Sequence, residues 1–125
     1  MIKVIIADDV QILRSGLKAV LSQDSDIKVV GEASDGKEAY ELCIRLNPDV
    51  VLMDMRMPEM DGLEATRTIR SMDREDAKKI PIIALTANAF DEDVQRSLQA
   101  GLNAHLSKPV EPDTLFDTLE KLIKA

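Results

Sequence analysis

Carboxylates directly follow apolar runs at two places in the sequence. Asp8 and Asp9 come after the run at residues 2–7. Asp54 comes after the run at residues 50–53. A charge at the end of a buried run is costly unless a cation or hydrogen-bond donors compensate for it. Mg²⁺ suits such oxygen ligands, and beside it a carboxylate can attack a phosphoryl group.

A hydroxyl group and an ammonium group follow two further apolar runs. Thr86 comes after residues 82–85, and Ser107, Lys108 and Pro109 come after a weak run at residues 104–106. A phosphoryl group in transfer carries spread negative charge and needs cations and donors around it. Lys108 supplies a point charge and Thr86 a hydroxyl, so both residue types fit phosphoryl transfer.

Asp54 is the predicted nucleophile, because its run reads as the central strand, whereas Asp8 and Asp9 sit together as a metal clamp. The segment at residues 56–58 (Arg-Met-Pro) is predicted to hold the following loop open around the metal. Each residue alone has a simpler interpretation, since an Asp after a strand is usually a turn former or a helix cap. The convergence of all five groups favours a site. Zinc is disfavoured, because the sequence has no cluster of Cys and His.

The elements that must position these residues alternate along the chain. Short β-branched runs predict strands at residues 2–7, 27–30, 50–53, 82–85 and 104–106. Longer stretches of helical period predict helices at residues 12–21, 37–46, 63–72, 92–100 and 115–124. Asp61 and Asp91 are predicted helix caps, Pro112 fits a first helical turn, and Gly101 is predicted to end the fourth helix.

Alternating strands and helices with continuously apolar strands predict a parallel sheet covered by helices on both faces. Five units are too few for an eight-stranded barrel, so the prediction is an α/β fold with an open, doubly wound sheet. In such sheets ligands bind beyond the carboxyl ends of the strands, which is where the five groups lie.

Length and composition limit the alternatives. The 125 residues predict one domain, residues 1–125, and no apolar run approaches the roughly 20 residues that span a membrane. The net charge of −7 and the 2% aromatic content argue against direct nucleic-acid binding. One cysteine, Cys43, excludes an internal disulfide and fits a reducing cytoplasm, and its predicted role is a small core residue. A strand pattern beginning at Ile2 indicates no signal peptide.

Four motifs occur in order and at characteristic spacing: "ADD", "VVLMDMRMPEMDG", "PIIALTA" and "SKP". In combination they resemble the CheY-like receiver domain of two-component response regulators, over essentially the whole chain. The resemblance implies a flavodoxin-like (βα)₅ fold with strand order 2-1-3-4-5. It implies that Asp54 accepts a phosphoryl group from the phosphohistidine of a sensor histidine kinase or a histidine phosphotransfer protein. It implies a domain that catalyses its own phosphorylation and dephosphorylation without turning over another substrate.

The resemblance also assigns roles to individual residues. Asp8, Asp54 and the backbone carbonyl of Arg56 would bind Mg²⁺, with Asp9 helping directly or through water. Thr86 and Lys108 would contact the phosphoryl group, Lys108–Pro109 would be a cis peptide, and His105 takes the position of the switch aromatic residue, which is more usually Tyr or Phe. The responding surface would be helix four, strand five and helix five. We expect a monomer, with a phosphorylation-dependent dimer as the alternative.

The two halves resemble different branches of this family. Residues 1–62 resemble receivers that precede LuxR-type helix-turn-helix domains, and the segment from Ile80 onward resembles receivers fused to hybrid sensor kinases. A recombined or engineered receiver without a native partner is therefore one alternative, and a metal-free interaction module is another. A haloacid-dehalogenase-type phosphatase is disfavoured, because it needs an Asp where Arg56 stands. An FMN binder is disfavoured, because the loop after the first strand lacks Ser, Thr and Gly.

Overall fold

A computed structural model of the chain describes residues 1–72, 79–86, 101–108 and 110–124. Its strands are β1 (Ile2–Ala7), β2 (Ile27–Ala33), β3 (Val50–Asp54), β4 (Ile82–Thr86) and β5 (Ala104–Ser107). Its helices are α1 (Gln11–Leu21), α2 (Gly36–Leu46), α3 (Gly62–Arg70) and a C-terminal helix (Pro112–Leu119) that continues as a π-helical turn (Glu120–Lys124). The predicted fourth helix, its cap Asp91 and the peptide before Pro109 lie outside the described residues.

All five strands form one parallel sheet in the order β2-β1-β3-β4-β5, which confirms the predicted fold. β3, which ends in Asp54, lies at the centre of the sheet. The pairing of β1 with β2 shifts by one residue after Val4, a β-bulge that places Ile5 opposite Gly31. Parallel strands end at the same edge, so the residues at the ends of β1, β3, β4 and β5 are brought together there.

The sheet separates two apolar cores. One core lies under α2 and α3, where Cys43, Ala65 and Ile69 pack against strand residues such as Ile5 and Met53. The other core lies under α1 and the C-terminal helix, and its fully buried members include Ile6, Leu21, Leu52, Leu85, Leu115 and Leu119. β3 is buried along its whole length, so its terminal carboxylate projects from a strand that packing holds in place on both faces.

Helix starts follow the capping chemistry of the sequence. The Asp61 side chain accepts a hydrogen bond from the Glu64 N–H at the start of α3, as predicted, and Asp35 caps α2 in the same way. Pro112 occupies the first turn of the C-terminal helix, also as predicted. In the part of the chain that the structure describes, no helix has the length and apolarity needed to cross a bilayer.

Most predicted boundaries lie within one residue of those in the structure, but three differ by more. The C-terminal helix begins at Pro112 instead of Leu115. β2 extends to Ala33, beyond the predicted end at residue 30, because its pairing with β1 continues past the bulge through Glu32 and Ala33. α3 ends at Arg70 instead of residue 72, because the Met72 N–H turns back to the Ile69 carbonyl. Backbone hydrogen bonds set the ends of β2 and α3, and the pattern of side chains in the sequence does not reveal these bonds.

Candidate functional site

Three carboxylates meet at the carboxyl edge of the sheet. One oxygen from each of Asp8, Asp9 and Asp54 lies within 4.8 Å of the others. Asp8 and Asp54 are buried, whereas Asp9 is exposed. An all-oxygen set of this kind matches the ligand preference of Mg²⁺, which binds few carboxylates and keeps several waters. These three side chains could therefore hold a divalent cation.

Lys108 is the residue that follows β5, and its side chain extends into the carboxylate cluster. Its Nζ lies 2.9 Å from Asp54 Oδ2 and 3.2 Å from Asp8 Oδ2. Its backbone N–H donates to the Thr86 carbonyl over 2.7 Å, which extends the β4–β5 ladder by one bond. Burial by itself would lower the pKa of Lys108, but the hydrogen bond and charge of Asp54, together with the charge of Asp8, raise it. The ammonium is therefore held in its charged form between two buried carboxylates.

Asp54 is held by donors on both oxygens. The Arg56 N–H donates to Oδ1 over 3.1 Å, and Lys108 donates to Oδ2. Burial raises the pKa of Asp54, the charge of Asp8 adds to the rise, and the bonds from Lys108 and Arg56 oppose it. The carboxylate thus carries a negative charge that the site compensates only in part. A cation among the three aspartates would supply the remainder.

Asp8 is fixed by the backbone around it. Its Oδ1 accepts a hydrogen bond from the Val10 N–H over 3.0 Å, and its N–H donates to the Ala33 carbonyl over 3.0 Å. The guanidinium group of Arg14 donates to the Asp8 carbonyl. Its Oδ2 faces Lys108.

Thr86 ends β4 with a buried hydroxyl group. The residue is 7% exposed, and Oγ1 has no hydrogen-bond partner among the described residues. A buried hydroxyl without a partner is unusual and loses free energy relative to a bonded one. His105 lies on β5 opposite Ala84 of β4 and is half-buried. The geometry thus places a hydroxyl group without a partner among the described residues at the end of β4, beside β3 and its terminal Asp54.

The loop after β3 is tied to α2 and α3 through two glycines. The Gly36 N–H donates to the Met60 carbonyl over 2.7 Å, and a Cβ at Gly36 would lie 2.0 Å from that oxygen. A Cβ at Gly62 would lie 2.2 Å from the Asp54 carbonyl oxygen. Sequence reasoning assigned no role to either glycine, although each follows an aspartate that caps a helix.

An apolar groove of about 530 Å³ opens beside Asp8 and Lys108. Most of its lining comes from α1, including Leu13, Gly16 and Leu17. Ile12 at its rim is 78% exposed and Leu13 is 42% exposed. Sequence reasoning placed these residues in the apolar period of the first helix and did not single them out.

Cys43 is buried in the core under α2, as predicted. Burial raises the pKa of its thiol to about 12, and the charge of Arg70 opposes this rise. The thiolate is the reactive form of cysteine, so this thiol is inert at neutral pH.

Comparison with known proteins shows where this arrangement recurs. Residues 4–120 match the family described as response regulator receiver domain. The response regulator protein VraR of Staphylococcus aureus is 39% identical over 120 residues, which cover 96% of this chain and 56% of VraR. The chain therefore spans about half the length of the curated relatives it matches.

Solved structures are similar over nearly the whole chain. The response regulator domain of Thermotoga maritima CheB superposes with a TM-score of 0.89 at 27% identity, covering 100% of this chain and 98% of that one. The receiver domain of sensor histidine kinase PA1611 from Pseudomonas aeruginosa PAO1, which has a magnesium ion in its active-site cleft, gives a TM-score of 0.88 at 35% identity, covering 99% and 98%. With its 2-1-3-4-5 parallel sheet and its aspartate cluster at the carboxyl edge, the chain belongs to the response regulator receiver domain family of two-component systems.

Proposed function

We propose that Asp54 accepts a phosphoryl group from the phosphohistidine of a sensor histidine kinase or a histidine phosphotransfer protein. The observation that carries this proposal is the position of Asp54, which ends the central strand with its carboxylate beside Lys108 and two further aspartates. The family match over residues 4–120 supports one receiver domain over the chain.

We propose that Asp8, Asp9, Asp54 and the backbone carbonyl of Arg56 bind Mg²⁺. The charge of the cluster supports this proposal, since among the described residues the three carboxylates share the ammonium group of Lys108. Bound there, Mg²⁺ would supply the positive charge that phosphoryl transfer requires. The magnesium ion in the active-site cleft of the PA1611 receiver supports the same assignment.

In the proposed reaction, a carboxylate oxygen of Asp54 forms a bond to phosphorus as the phosphorus–nitrogen bond of the phosphohistidine breaks. The electron pair returns to the imidazole, and the product is an acyl phosphate on Asp54. Lys108 keeps Asp54 ionised before the transfer and then turns its ammonium group to a phosphoryl oxygen. The domain carries these groups itself, so it catalyses its own modification, and attack of water on the acyl phosphate reverses it.

Thr86 and His105 are the proposed switch. The Thr86 hydroxyl, which has no partner among the described residues, would donate to a phosphoryl oxygen, and its movement toward that oxygen would open space for His105. A hydrogen bond to a charged group contributes about 1.5–3 kcal/mol, so loss of this one should weaken the binding of a phosphoryl mimic about tenfold to a hundredfold.

Titration with beryllofluoride and Mg²⁺, read by amide spectra, tests the acceptor and the switch together. We expect saturable shifts at Asp54, in β4 and in β5, weaker binding by Thr86→Ala, and affinity restored to near that of the wild type in Thr86→Ser. Shifts confined to α1 and α2, or equal affinity of the Ala and Ser variants, would contradict the proposed switch. Absence of any saturable shift would contradict the acceptor role.

We propose that the phosphodonor contacts the exposed apolar residues at the start of α1. Ile12 and Leu13 are exposed and line the same apolar groove as Asp8 and Lys108, so they lie beside the site that a phosphohistidine would enter. Ile12→Asp should slow transfer from a phosphodonor protein about tenfold or more and leave transfer from acetyl phosphate unchanged. Equal slowing with both donors would show damage to the site instead of to a docking surface.

A further inference from the structure

Lys108 stands at the end of a strand that has little to fix its position. β5 has four residues, lies at the edge of the sheet and, among the described strands, pairs with β4 alone. Of its side chains only that of Leu106 is fully buried, whereas Ala104 and His105 are half-buried and Ser107 is exposed. Apolar pattern normally specifies strand register, and a slip of one residue turns every side chain to the opposite face. With one buried residue in four, the apolar pattern specifies the register of β5 weakly.

A polar bridge fixes the other end of this strand. Asn103, the residue before β5, accepts a hydrogen bond through Oδ1 from the Ile82 N–H over 2.9 Å. Its own N–H donates to the Ile82 carbonyl over 2.9 Å. Asn103 therefore bonds to both backbone groups of the residue that begins β4, and a shift in register would break both bonds.

Arg70, the last residue of α3, holds this bridge from the side. Its Nη2 donates to Asn103 Oδ1 over 2.9 Å and to the Gly101 carbonyl over 3.0 Å, and its Nε donates to the same carbonyl over 3.1 Å. Gly101 has a φ of 108°, and a Cβ there would lie 2.9 Å from Arg70 Cγ. Gly101 thus provides both the backbone conformation and the space that the hydrogen bonds from Arg70 need.

Through the hydrogen bonds of Arg70, α3 connects two parts of the candidate site. α3 begins at Gly62 against the Asp54 carbonyl and ends at Arg70 against the residues before β5. The two ends of α3 therefore hold β3, which ends in Asp54, and the segment before β5, which leads to Lys108.

We propose that Arg70 and Asn103 form a register lock for β5, which positions Lys108 at Asp54. This inference rests on the proposed role of Asp54 as the phosphoryl acceptor. Arg70 and Asn103 act through Lys108 and are positioning residues. Since a displacement of about 1 Å in a reacting constellation can reduce a rate about a hundredfold, a looser β5 should slow phosphorylation strongly.

The chain offers matched variants. Arg70→Gln removes the planar fork, and Arg67→Gln makes the same charge change at an exposed position of the same helix. Asn103→Leu removes the acceptor at similar size, and Asn103→Asp keeps it. We expect Arg70→Gln and Asn103→Leu to speed amide exchange about tenfold or more in β5, with a smaller change in β1 and β3. Arg67→Gln and Asn103→Asp should stay within about twofold of the wild type.

Labelling of Asp54 by acetyl phosphate in Mg²⁺, measured over a range of donor concentrations, supplies the second readout. Arg70→Gln and Asn103→Leu should lower the maximal rate about tenfold to a hundredfold and leave the half-saturating donor concentration unchanged. Rates within twofold of the wild type, or equally faster exchange in β1, β3 and β5, would overturn the lock. Failure of the wild type to be labelled would contradict the acceptor role instead, and the exchange contrast between Arg70→Gln and Arg67→Gln would still decide the lock.

Discussion

At the scale of single residues, Asp54 carries a charge that the folded protein only partly compensates. Burial and the neighbouring Asp8 raise its pKa above that of an unfolded chain. The folded state therefore holds the proton more tightly, and stability is lost as pH rises through the interval between the unfolded and folded values. The Asp54→Asn variant does not lose stability in this way, because an amide does not ionise. Its Oδ1 can still accept a hydrogen bond from the Arg56 N–H.

Asp54→Asn should consequently be more stable than the wild type at neutral pH without metal, and the difference should disappear below the pKa of the unfolded carboxyl group. Urea denaturation in EDTA at a series of pH values measures this difference. A variant less stable than the wild type at neutral pH would mean that the Lys108 ion pair outweighs the burial of the carboxylate.

At the scale of elements, α3 is set by the close approach of Gly62 to the Asp54 carbonyl. A side chain there would force the helix off the acceptor strand, and overpacking of this kind costs about 1–3 kcal/mol. Gly62→Ala should therefore lower the free energy of unfolding by that amount or more. Gly16→Ala in the middle of α1 is the control, because a Cβ there meets nothing within 4 Å and Ala stabilises a helix by about 0.5–1 kcal/mol. Equal effects of the two substitutions would refute the packing argument.

The sequence predicted the elements better than the contacts between them. The ends of β1 and β3 were predictable to within one residue, because an apolar run followed by a charge marks the end of a buried strand, as at Met53 and Asp54. The Arg70–Asn103 bridge was not predictable, because it joins residues 33 positions apart through a left-handed glycine. The exposure of Ile12 was also missed, since helical period alone does not tell which apolar residue faces the sheet.

At the scale of the whole molecule, the cluster predicts a dependence of stability on metal. The proposed Mg²⁺ site exists only in the folded state, so a Mg²⁺ concentration 100 times the dissociation constant should add about 2.7 kcal/mol to the free energy of unfolding. The chain carries a net charge of −7, and salt screening can also stabilise it, so NaCl of equal ionic strength is the control. Asp8→Asn should lose most of the specific increment. The same increment in NaCl, or in Asp8→Asn, would contradict a site at the cluster.

The hypothesis of two recombined halves also belongs to this scale. The join would lie in the segment between Met60 and Met72, and the contacts of β3 with β4 would cross it. A recombined receiver should be labelled by acetyl phosphate yet accept phosphoryl groups poorly from kinases of either parental branch, because docking surfaces draw on both halves. Transfer rates from one kinase of each branch measure this. Efficient, selective transfer from one of them would support a natural receiver with its own partner.

The central claim is that Asp54 accepts a phosphoryl group with the help of a divalent cation. Intact-mass measurement after incubation with acetyl phosphate and Mg²⁺, followed by peptide mapping, tests it most directly. We predict one added phosphoryl group on Asp54 in the wild type, and none in Asp54→Asn or in the wild type with EDTA. Stoichiometric labelling of Asp54→Asn, or labelling of the wild type that is unchanged by EDTA, would contradict the account.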